Sequence, residues 1–315
     1  MTPELITSAQ NPKLKRLLAL QEKSRLRRSE GVFVVEGRRE LEHCLAAGFE
    51  IEAVFVCPEI YAGLGNPPSG VRPSDSPHHP FGTVPPLSNR GCYVPRGDNP
   101  AQRTARHSAR SEAVGGQSSI FHISKDLYEK VAYRGSTEGI IAEVKAKYPT
   151  LDDLALKENP LVMVLEGVEK PGNLGAVLRS ADAAGADAVI ICDPLTDLYN
   201  PNLIRASIGA VFTVPVVCCS SEDAIAFLKA RGIRILTAQL QDSSPYYDVD
   251  MTCGTALVMG TEATGLTPVW RDAADAHILI PMLGRLDSLN VSVSAAILLY
   301  EAVRQRQVVV KKDLF

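Results

Sequence analysis

The stretch from Leu161 to Cys192, LVMVLEGVEKPGNLGAVLRSADAAGADAVIIC, predicts the fold of the second half of the chain. Its start, residues 161–166, is an apolar run typical of a buried strand, and residues 188–192 form a second such run. A helical pattern lies between them, over residues 174–184. Two buried strands joined by a helix are typical of a parallel sheet, because a parallel pair needs a long crossover connection.

The same alternation continues to residue 306. Further strands are expected at 211–217, 233–238, 255–259 and 277–281, and further helices at 202–209, 221–230, 265–274 and 291–306. This pattern predicts an α/β fold with a largely parallel sheet and helices on both faces. Such sheets bind ligands beyond the carboxyl ends of their strands, so the loops that follow the strands are the candidate functional segments.

The composition is that of a globular protein, with 45% hydrophobic and 22% charged residues, and 315 residues suggest two domains. The net charge of −3 gives no overall positive field that would by itself indicate a nucleic-acid partner. Seven scattered cysteines without a C-x-x-C pair favour reduced thiols and a cytoplasmic location.

Other classes of protein are not favoured. The first residues lack the pattern of a signal peptide, and no apolar run approaches about 18 residues, so no membrane partner is expected. The histidines and cysteines lack zinc-ligand spacing, so no metal is expected.

Composition divides the first half of the chain. Residues 1–30 are predicted to form a basic helical arm, and its cations are Lys13, Lys15, Arg16, Lys23, Arg25, Arg27 and Arg28. The arm either contacts phosphates or only solvates the end of the chain, and charge alone favours the second reading. Residues 31–147 are predicted to form a small α/β domain, which a disordered insertion at about 63–119, rich in Pro, Gly and Ser, interrupts. The second domain is expected at 152–307.

Three loops at the ends of expected strands are rich in glycine, which lets backbone N–H groups approach a ligand closely. They are GVEKPGNLGAVLRSADAAG after residue 166, GTEATGLTP after residue 259 and PMLGRLDSLN after residue 280. The first loop is not a P-loop, because Asn173 and Leu174 stand where Lys and Ser or Thr would hold phosphate and Mg²⁺. The dinucleotide pattern G-x-G-x-x-G is also absent from it.

In order and spacing, these loops resemble the three motifs of the SpoU/TrmH family of RNA ribose 2′-O-methyltransferases. NLGAVLRSADAAG resembles the first motif, LVMGTEATGL the second and IPMLGRLDSLNVSVSAAILLYE the third. The resemblance implies a SPOUT catalytic domain with a deep C-terminal trefoil knot, S-adenosylmethionine held in the knot, and a homodimer that shares the active site. FVVEGRRELEHCL and YEKVAYRGSTEGIIAEV are similar to the small α/β RNA-binding domain that often precedes it.

Five catalytic residues are implied by motif position. Arg179 would stabilise a developing alkoxide or bind phosphate, since a guanidinium resists deprotonation, although a role as base stays open. Asn173 would orient Arg179 or the RNA backbone, and Glu262 would anchor Arg179 or a loop. Ser288 and Asn290 would hydrogen-bond to the substrate or to Arg179. By itself Asn290 would be interpreted as a helix N-cap, Arg179 as a surface residue and Glu262 as favourable with a helix dipole.

Cofactor contacts in this family are mostly made by the backbone. The resemblance assigns them to Thr237, Gly260, Ile280, Met282 and Leu289.

The predicted function is therefore methyl transfer from S-adenosylmethionine to a ribose 2′-hydroxyl of RNA. Ribosomal RNA is the favoured substrate, because the front domain is present. The alternatives are a transfer RNA 2′-O-methyltransferase, a catalytically inactive RNA-binding protein on the same fold, and a nucleotide-dependent metabolic enzyme. The missing phosphate and dinucleotide motifs argue against the last of these.

Overall fold

The computed structural model describes residues 3–61, 118–133, 138–261, 264–285 and 288–312. Apart from Ser118 and Ser119, the insertion expected at about 63–119 lies outside these residues, and so does Glu262. No helix in the described part of the chain is long and apolar enough to cross a membrane.

The first unit is built on a five-stranded sheet with the order β1-β4-β3-β5-β2. Strand β5 runs antiparallel to its neighbours β2 and β3, and the other pairs are parallel. Its elements are β1 (Glu4–Ile6), α1 (Pro12–Glu22), α2 (Ser24–Glu30), β2 (Val32–Glu36), α3 (Arg38–Ala46), β3 (Ile51–Val56), α4 (Pro58–Tyr61), β4 (Ser119–Ile123), α5 (Lys125–Val131) and β5 (Ile140–Lys145).

The structure differs from the separate basic arm expected at 1–30. Strand β1 pairs in parallel with β4, so the start of the chain is part of the sheet. Leu14, Leu17 and Leu20 of α1 are fully buried in the core beneath that sheet. The leucines recur every third residue, and burial of that apolar face outweighs the charge of the positions between them.

The second unit is built on a seven-stranded sheet with the order β10-β12-β9-β11-β6-β7-β8. All its pairs are parallel, which confirms the predicted parallel sheet, while the implied knot stays a prediction. Its strands are β6 (Leu161–Glu166), β7 (Ala188–Cys192), β8 (Val216–Cys219), β9 (Arg234–Ala238), β10 (Ser244–Pro245), β11 (Thr255–Met259) and β12 (Ala276–Leu279). Its α-helices are α6 (Pro171–Ala184), α7 (Pro201–Ser207), α8 (Ala210–Thr213), α9 (Ser221–Ala230), α10 (Pro268–Ala273) and α11 (Val291–Lys312).

The strand expected at 211–217 is wrong in its first half. Residues 210–213 form the short helix α8, and the strand begins only at Val216. An apolar run of this length fits a buried helix as well as a buried strand, and periodicity alone does not separate the two.

Helices cover both faces of the second sheet. On one face, α6 and α11 pack against each other and bury Leu174, Val177 and Leu298 in the larger core. On the other face, α9 and α10 contribute Phe227 and Trp270 to a separate core. A residue on α10 therefore lies on the opposite side of the sheet from α6 and α11.

The two units are joined by a buried ion pair and by stacked rings. The Nε of Arg27 donates to Asp197 at 2.6 Å, and the side chains of both residues are less than a tenth exposed. The Phe33 ring stacks on Tyr199 with 4.2 Å between centroids, and Phe212 lies 6.0 Å from Phe33. Phe33 belongs to the first unit and Tyr199 and Phe212 to the second, so these contacts fix the units to each other.

Candidate active site

A cavity of about 500 Å³ opens at the carboxyl edge of the second sheet. The segments that follow β9, β11 and β12 supply its walls, together with the start of α11 and one turn of α10. Four of the five residues assigned to cofactor binding line this cavity, and they are Gly260, Ile280, Met282 and Leu289. Ser288, assigned to catalysis, lines it as well.

Gly260 lies where two backbone segments touch. A Cβ atom on this residue would lie 2.3 Å from the carbonyl carbon and oxygen of Gly265, so no other residue fits. The loop between them is closed by two backbone hydrogen bonds between Thr261 and Gly265, at 3.1 and 3.2 Å. The hydroxyl groups of Thr261 and Thr264, 2.8 Å apart, brace the same turn. The glycine of the second motif is therefore required by the shape of the loop.

Thr237 is the assigned cofactor residue that does not line the cavity. It is fully buried inside the sheet, and its Oγ1 shares a hydrogen bond of 2.6 Å with Nδ1 of His277 on the neighbouring strand. The cavity begins one residue later, at Ala238. Its other lining residues, for which the sequence predicts no role, include Gln239, Gln241, Thr261, Thr264, Arg271 and Ser294. The position of the first two after a strand end is the signal that could have found them.

The first and third motifs meet through Asn173 and Asn290. The Nδ2 of Asn290 donates to the Oδ1 of Asn173 at 3.1 Å. The Oδ1 of Asn290 accepts from the backbone N of Ser292 at 2.9 Å and from its hydroxyl at 2.6 Å, so Asn290 also caps α11. Asn290 therefore caps α11 and contacts the first motif at the same time, while its catalytic role stays a prediction. Its sequence neighbours Leu289 and Val291 line the cavity, so Asn290 lies at the cavity rim, although neither asparagine is among the lining residues.

Arg179 is exposed on α6, the helix that also carries Asn173. Its guanidinium makes no hydrogen bond or ion pair with any residue that the structure describes. The single chain therefore does not bring Arg179 into the bonded pair of asparagines. Glu262, which lies outside the described residues, belongs to the loop whose Thr261 and Thr264 line the cavity.

The cavity suits S-adenosylmethionine in size and in chemistry. Its volume falls in the range of about 300 to 1,000 Å³ that is usual for small-molecule sites. Ile280, Met282 and Leu289 offer apolar surface for an adenine ring, and the side-chain amides of Gln239 and Gln241 offer hydrogen-bond partners. The residues present therefore fit this cofactor.

Two families match the sequence. The SpoU rRNA methylase family matches residues 160–300, which includes all three loops. The MRM3-like substrate binding domain matches residues 11–69, in the first unit.

Curated relatives agree with this assignment. The 23S rRNA (guanosine-2′-O-)-methyltransferase RlmB of Vibrio vulnificus is 38% identical over 194 residues, which cover 60% of this chain and 78% of the relative. The 23S rRNA (guanosine(2553)-2′-O)-methyltransferase RlmP of Bacillus subtilis is 37% identical over 139 residues. That alignment covers 44% of this chain and 56% of the relative, so it spans little more than half the length of the Bacillus protein.

A crystal structure extends the likeness to both units. The AdoMet-bound rRNA methyltransferase of Sinorhizobium meliloti superposes with a TM-score of 0.74 at 25% identity. The superposition covers 96% of this chain and 97% of that one.

The fold and the site, with these likenesses, define an S-adenosylmethionine-dependent RNA 2′-O-methyltransferase. The chain belongs to the SpoU rRNA methylase family. The resemblance carried by the three loop motifs is thereby confirmed.

Proposed function

We propose that this chain methylates a ribose 2′-hydroxyl of ribosomal RNA. The observation that carries the proposal is the meeting of the first and third motifs, through Asn173 and Asn290, at the rim of a cavity that fits the cofactor. The relatives described above are ribosomal RNA methyltransferases, which favours ribosomal over transfer RNA. The match of the first unit to a substrate binding domain supports RNA capture by that unit.

The chain's own residues must orient the ribose and stabilise the negative charge that develops on its 2′-oxygen. S-adenosylmethionine supplies an electrophilic methyl group when it is bound. Asn173 and Asn290 hold each other in a fixed orientation and are placed to position the sugar or its phosphate. A guanidinium offers five hydrogen-bond donors and no acceptor, so Arg179 is suited to bind phosphate and to stabilise the oxyanion. Ser288, exposed at the cavity, offers a further hydrogen bond to the substrate.

The active form in our proposal is a homodimer in which α11 contacts a second copy of the chain. Val293 and Tyr300, seven residues apart, share the face of α11 opposite the buried Ala295 and Leu298, and each is about half exposed. Arg179, which has no partner among the described residues of its own chain, then serves the shared site. Sedimentation of the protein and of Val293→Glu with Tyr300→Glu tests this contact. A wild-type monomer would contradict it.

We propose a cytoplasmic location for this protein. All six cysteines that lie in the described residues are free thiols, which is compatible with a reducing compartment. Cell fractionation tests the location.

Methyl transfer provides the test of function. Unmodified ribosomal RNA and transfer RNA are incubated separately with the protein and tritiated S-adenosylmethionine, and ribose methylation is mapped. We expect label on a ribose of ribosomal RNA. Label on transfer RNA alone would reassign the substrate, and binding of RNA without label on either would identify an inactive RNA-binding protein.

A further inference from the structure

Arg271 is the one charged side chain among the described residues that line the cavity. It is half-buried in the last turn of α10. Its guanidinium makes no hydrogen bond or ion pair with any residue in the part of the chain that the structure describes. An arginine that is partly withdrawn from water without an anion beside it is suited to bind one.

The helix that carries Arg271 is held firmly in place. Glu166, which is buried at the end of β6, accepts from the backbone N of Thr267 at 2.9 Å and from its hydroxyl at 2.6 Å. Trp270 is fully buried, and its Nε1 donates to the hydroxyl of Ser221 at 2.9 Å. The backbone of Arg271 is therefore held beside the cavity by contacts that need no ligand.

The cavity has two distinct sides. Asn173 and Asn290 belong to α6 and α11, on one face of the sheet, whereas α10 packs on the opposite face. RNA that reaches the asparagine pair approaches from the α6 and α11 side. This placement favours the cofactor over the RNA backbone as the source of an anion beside Arg271.

We propose that Arg271 binds the carboxylate of the methionine part of S-adenosylmethionine. This inference rests on the proposed function, because it takes the cavity to be the cofactor site. The carboxylate is the one anionic group of the cofactor, and a guanidinium can bind it with two parallel hydrogen bonds. The cofactor then lies across the strand ends, with its amino-acid tail on the α10 side and its adenosine part against Ile280 and Leu289.

Calorimetry with two ligands measures how much the amino-acid tail, which carries the carboxylate, contributes to binding. S-Adenosylhomocysteine carries the amino-acid tail, and 5′-methylthioadenosine lacks it. We expect Arg271→Gln to weaken binding of S-adenosylhomocysteine by about 10- to 100-fold, because a hydrogen bond to a charged group is lost. Binding of 5′-methylthioadenosine should change by less than about twofold, and Arg271→Lys should recover part of the loss.

Arg231→Gln is the matched control. Arg231 is an exposed arginine at the end of α9, on the same side of the sheet as α10, and its guanidinium lies over the Phe227 ring and not at the cavity. It should bind both ligands like the wild type.

Three results would overturn the proposal. One is unchanged binding of S-adenosylhomocysteine by Arg271→Gln. Another is an equal loss for both ligands, which would show a change in cavity shape. The third is weaker RNA binding with S-adenosylhomocysteine binding intact, which would assign Arg271 to a phosphate. Failure of the wild type to bind either ligand would instead reject the cavity as the cofactor site, which separates this inference from the function on which it rests.

Discussion

Two arginines of the first unit and two of the second are used in opposite ways. In the first unit, Arg16 pairs with Glu30 at 2.8 Å, with Glu52 at 3.1 Å and with the buried carboxylate of Glu143. Arg27 is likewise buried against Asp197. In the second unit, Arg179 and Arg271 have no such partner among the described residues. A cluster of basic residues in a sequence is therefore not evidence of free positive charge.

The comparison also separates stability from function. The paired arginines of the first unit hold the fold, so their loss should lower stability. The unpaired arginines of the second unit face solvent or the cavity, so their loss should lower activity or ligand affinity.

The largest effect is expected from breaking the pair between the units. Arg27→Met leaves Asp197 buried without its partner and should lower the free energy of unfolding by about 3 to 5 kcal/mol. Urea unfolding at neutral pH measures it. The control is Lys145→Met, which breaks an exposed pair with Glu50 at 2.8 Å and should have no measurable effect. Equal losses in the two variants would show that burial does not determine how much the Arg27 pair contributes to the free energy of unfolding.

Loss of Arg179 should lower activity and leave stability unchanged. Arg179→Ala should lower the rate of methyl transfer by about 10²- to 10³-fold, because one stabilising group for the oxyanion is lost. The free energy of unfolding should be unchanged, and the affinity for S-adenosylhomocysteine should change by less than about twofold. The reason is that the residue is exposed and away from the cavity lining. Single-turnover transfer and calorimetry measure both, with Arg231→Ala as control. Near-normal transfer would remove Arg179 from the catalytic site.

Glu143 should make the first unit sensitive to pH. Burial raises the pKa of its carboxyl from 4.5 to about 7, against the opposing effect of Arg16, and one of its oxygens is buried without a hydrogen bond. The folded state therefore binds the proton more tightly than the unfolded state. Its contribution to stability is complete below pH 4.5 and is lost as the pH rises to about 7.

The expected loss across this window is about 3 kcal/mol, at 1.36 kcal/mol for each unit of pKa. Thermal unfolding at fixed ionic strength, compared between the wild type and Glu143→Gln, measures it. The variant should lack this part of the pH dependence, and Glu50→Gln, a change at an exposed carboxylate, should retain it. The same pH profile for Glu143→Gln and the wild type would contradict the assignment.

Two variants of Asn290 distinguish the effect of its helix cap from the effect of its contact with Asn173. Asn290→Ala removes both and should cost about 1 kcal/mol of stability together with activity. Asn290→Asp keeps the acceptor that caps α11 but removes the donor to Asn173. Its stability should therefore be near that of the wild type while methyl transfer is impaired. Full activity of the aspartate variant would show that the cap alone accounts for Asn290.

The smallest effect is expected at two lysines on helix α1. Lys13 pairs with Glu4 at 2.6 Å, whereas Lys15 is exposed and has no partner among the described residues. If Lys15 contacts an RNA phosphate, Lys15→Gln should reduce the salt dependence of RNA affinity by about 0.7 log units per tenfold salt. Lys13→Gln should reduce it less. Equal reductions would mean that the pair with Glu4 does not hold Lys13 away from RNA.

Sequence patterns predicted those features that depend on near neighbours in the chain. The strands Leu161–Glu166, Ala188–Cys192 and Thr255–Met259 follow their apolar runs residue for residue. The cavity was placed correctly at the strand ends, since that location follows from a parallel sheet and not from side-chain detail. The two-residue strand Ser244–Pro245 is too short to leave a pattern, and it was not expected.

Contacts between distant segments could not be predicted in this way. The partners Arg27 and Asp197 are separated by 170 positions in the sequence, and Arg16 and Glu143 by 127. Arg271 was missed for the same reason, because the contact between Glu166 and Thr267 that fixes its helix joins residues 101 positions apart. Residues Pro12–Glu22 and Ser24–Glu30 are helical as predicted, but the leucines of α1, and not its charges, decide where this segment lies.

The rigid joint between the units has a consequence for the RNA. Arg27 also donates to the carbonyl oxygens of Leu20 and Gln21, so the arginine that ties the units together is itself braced from within its own unit. If the first unit binds RNA as proposed, the distance between its RNA-binding surface and the cofactor cavity is then fixed. An RNA would have to match that distance by its own bends and loops. Selection of the modified nucleotide would then depend on distance as well as on recognition of bases.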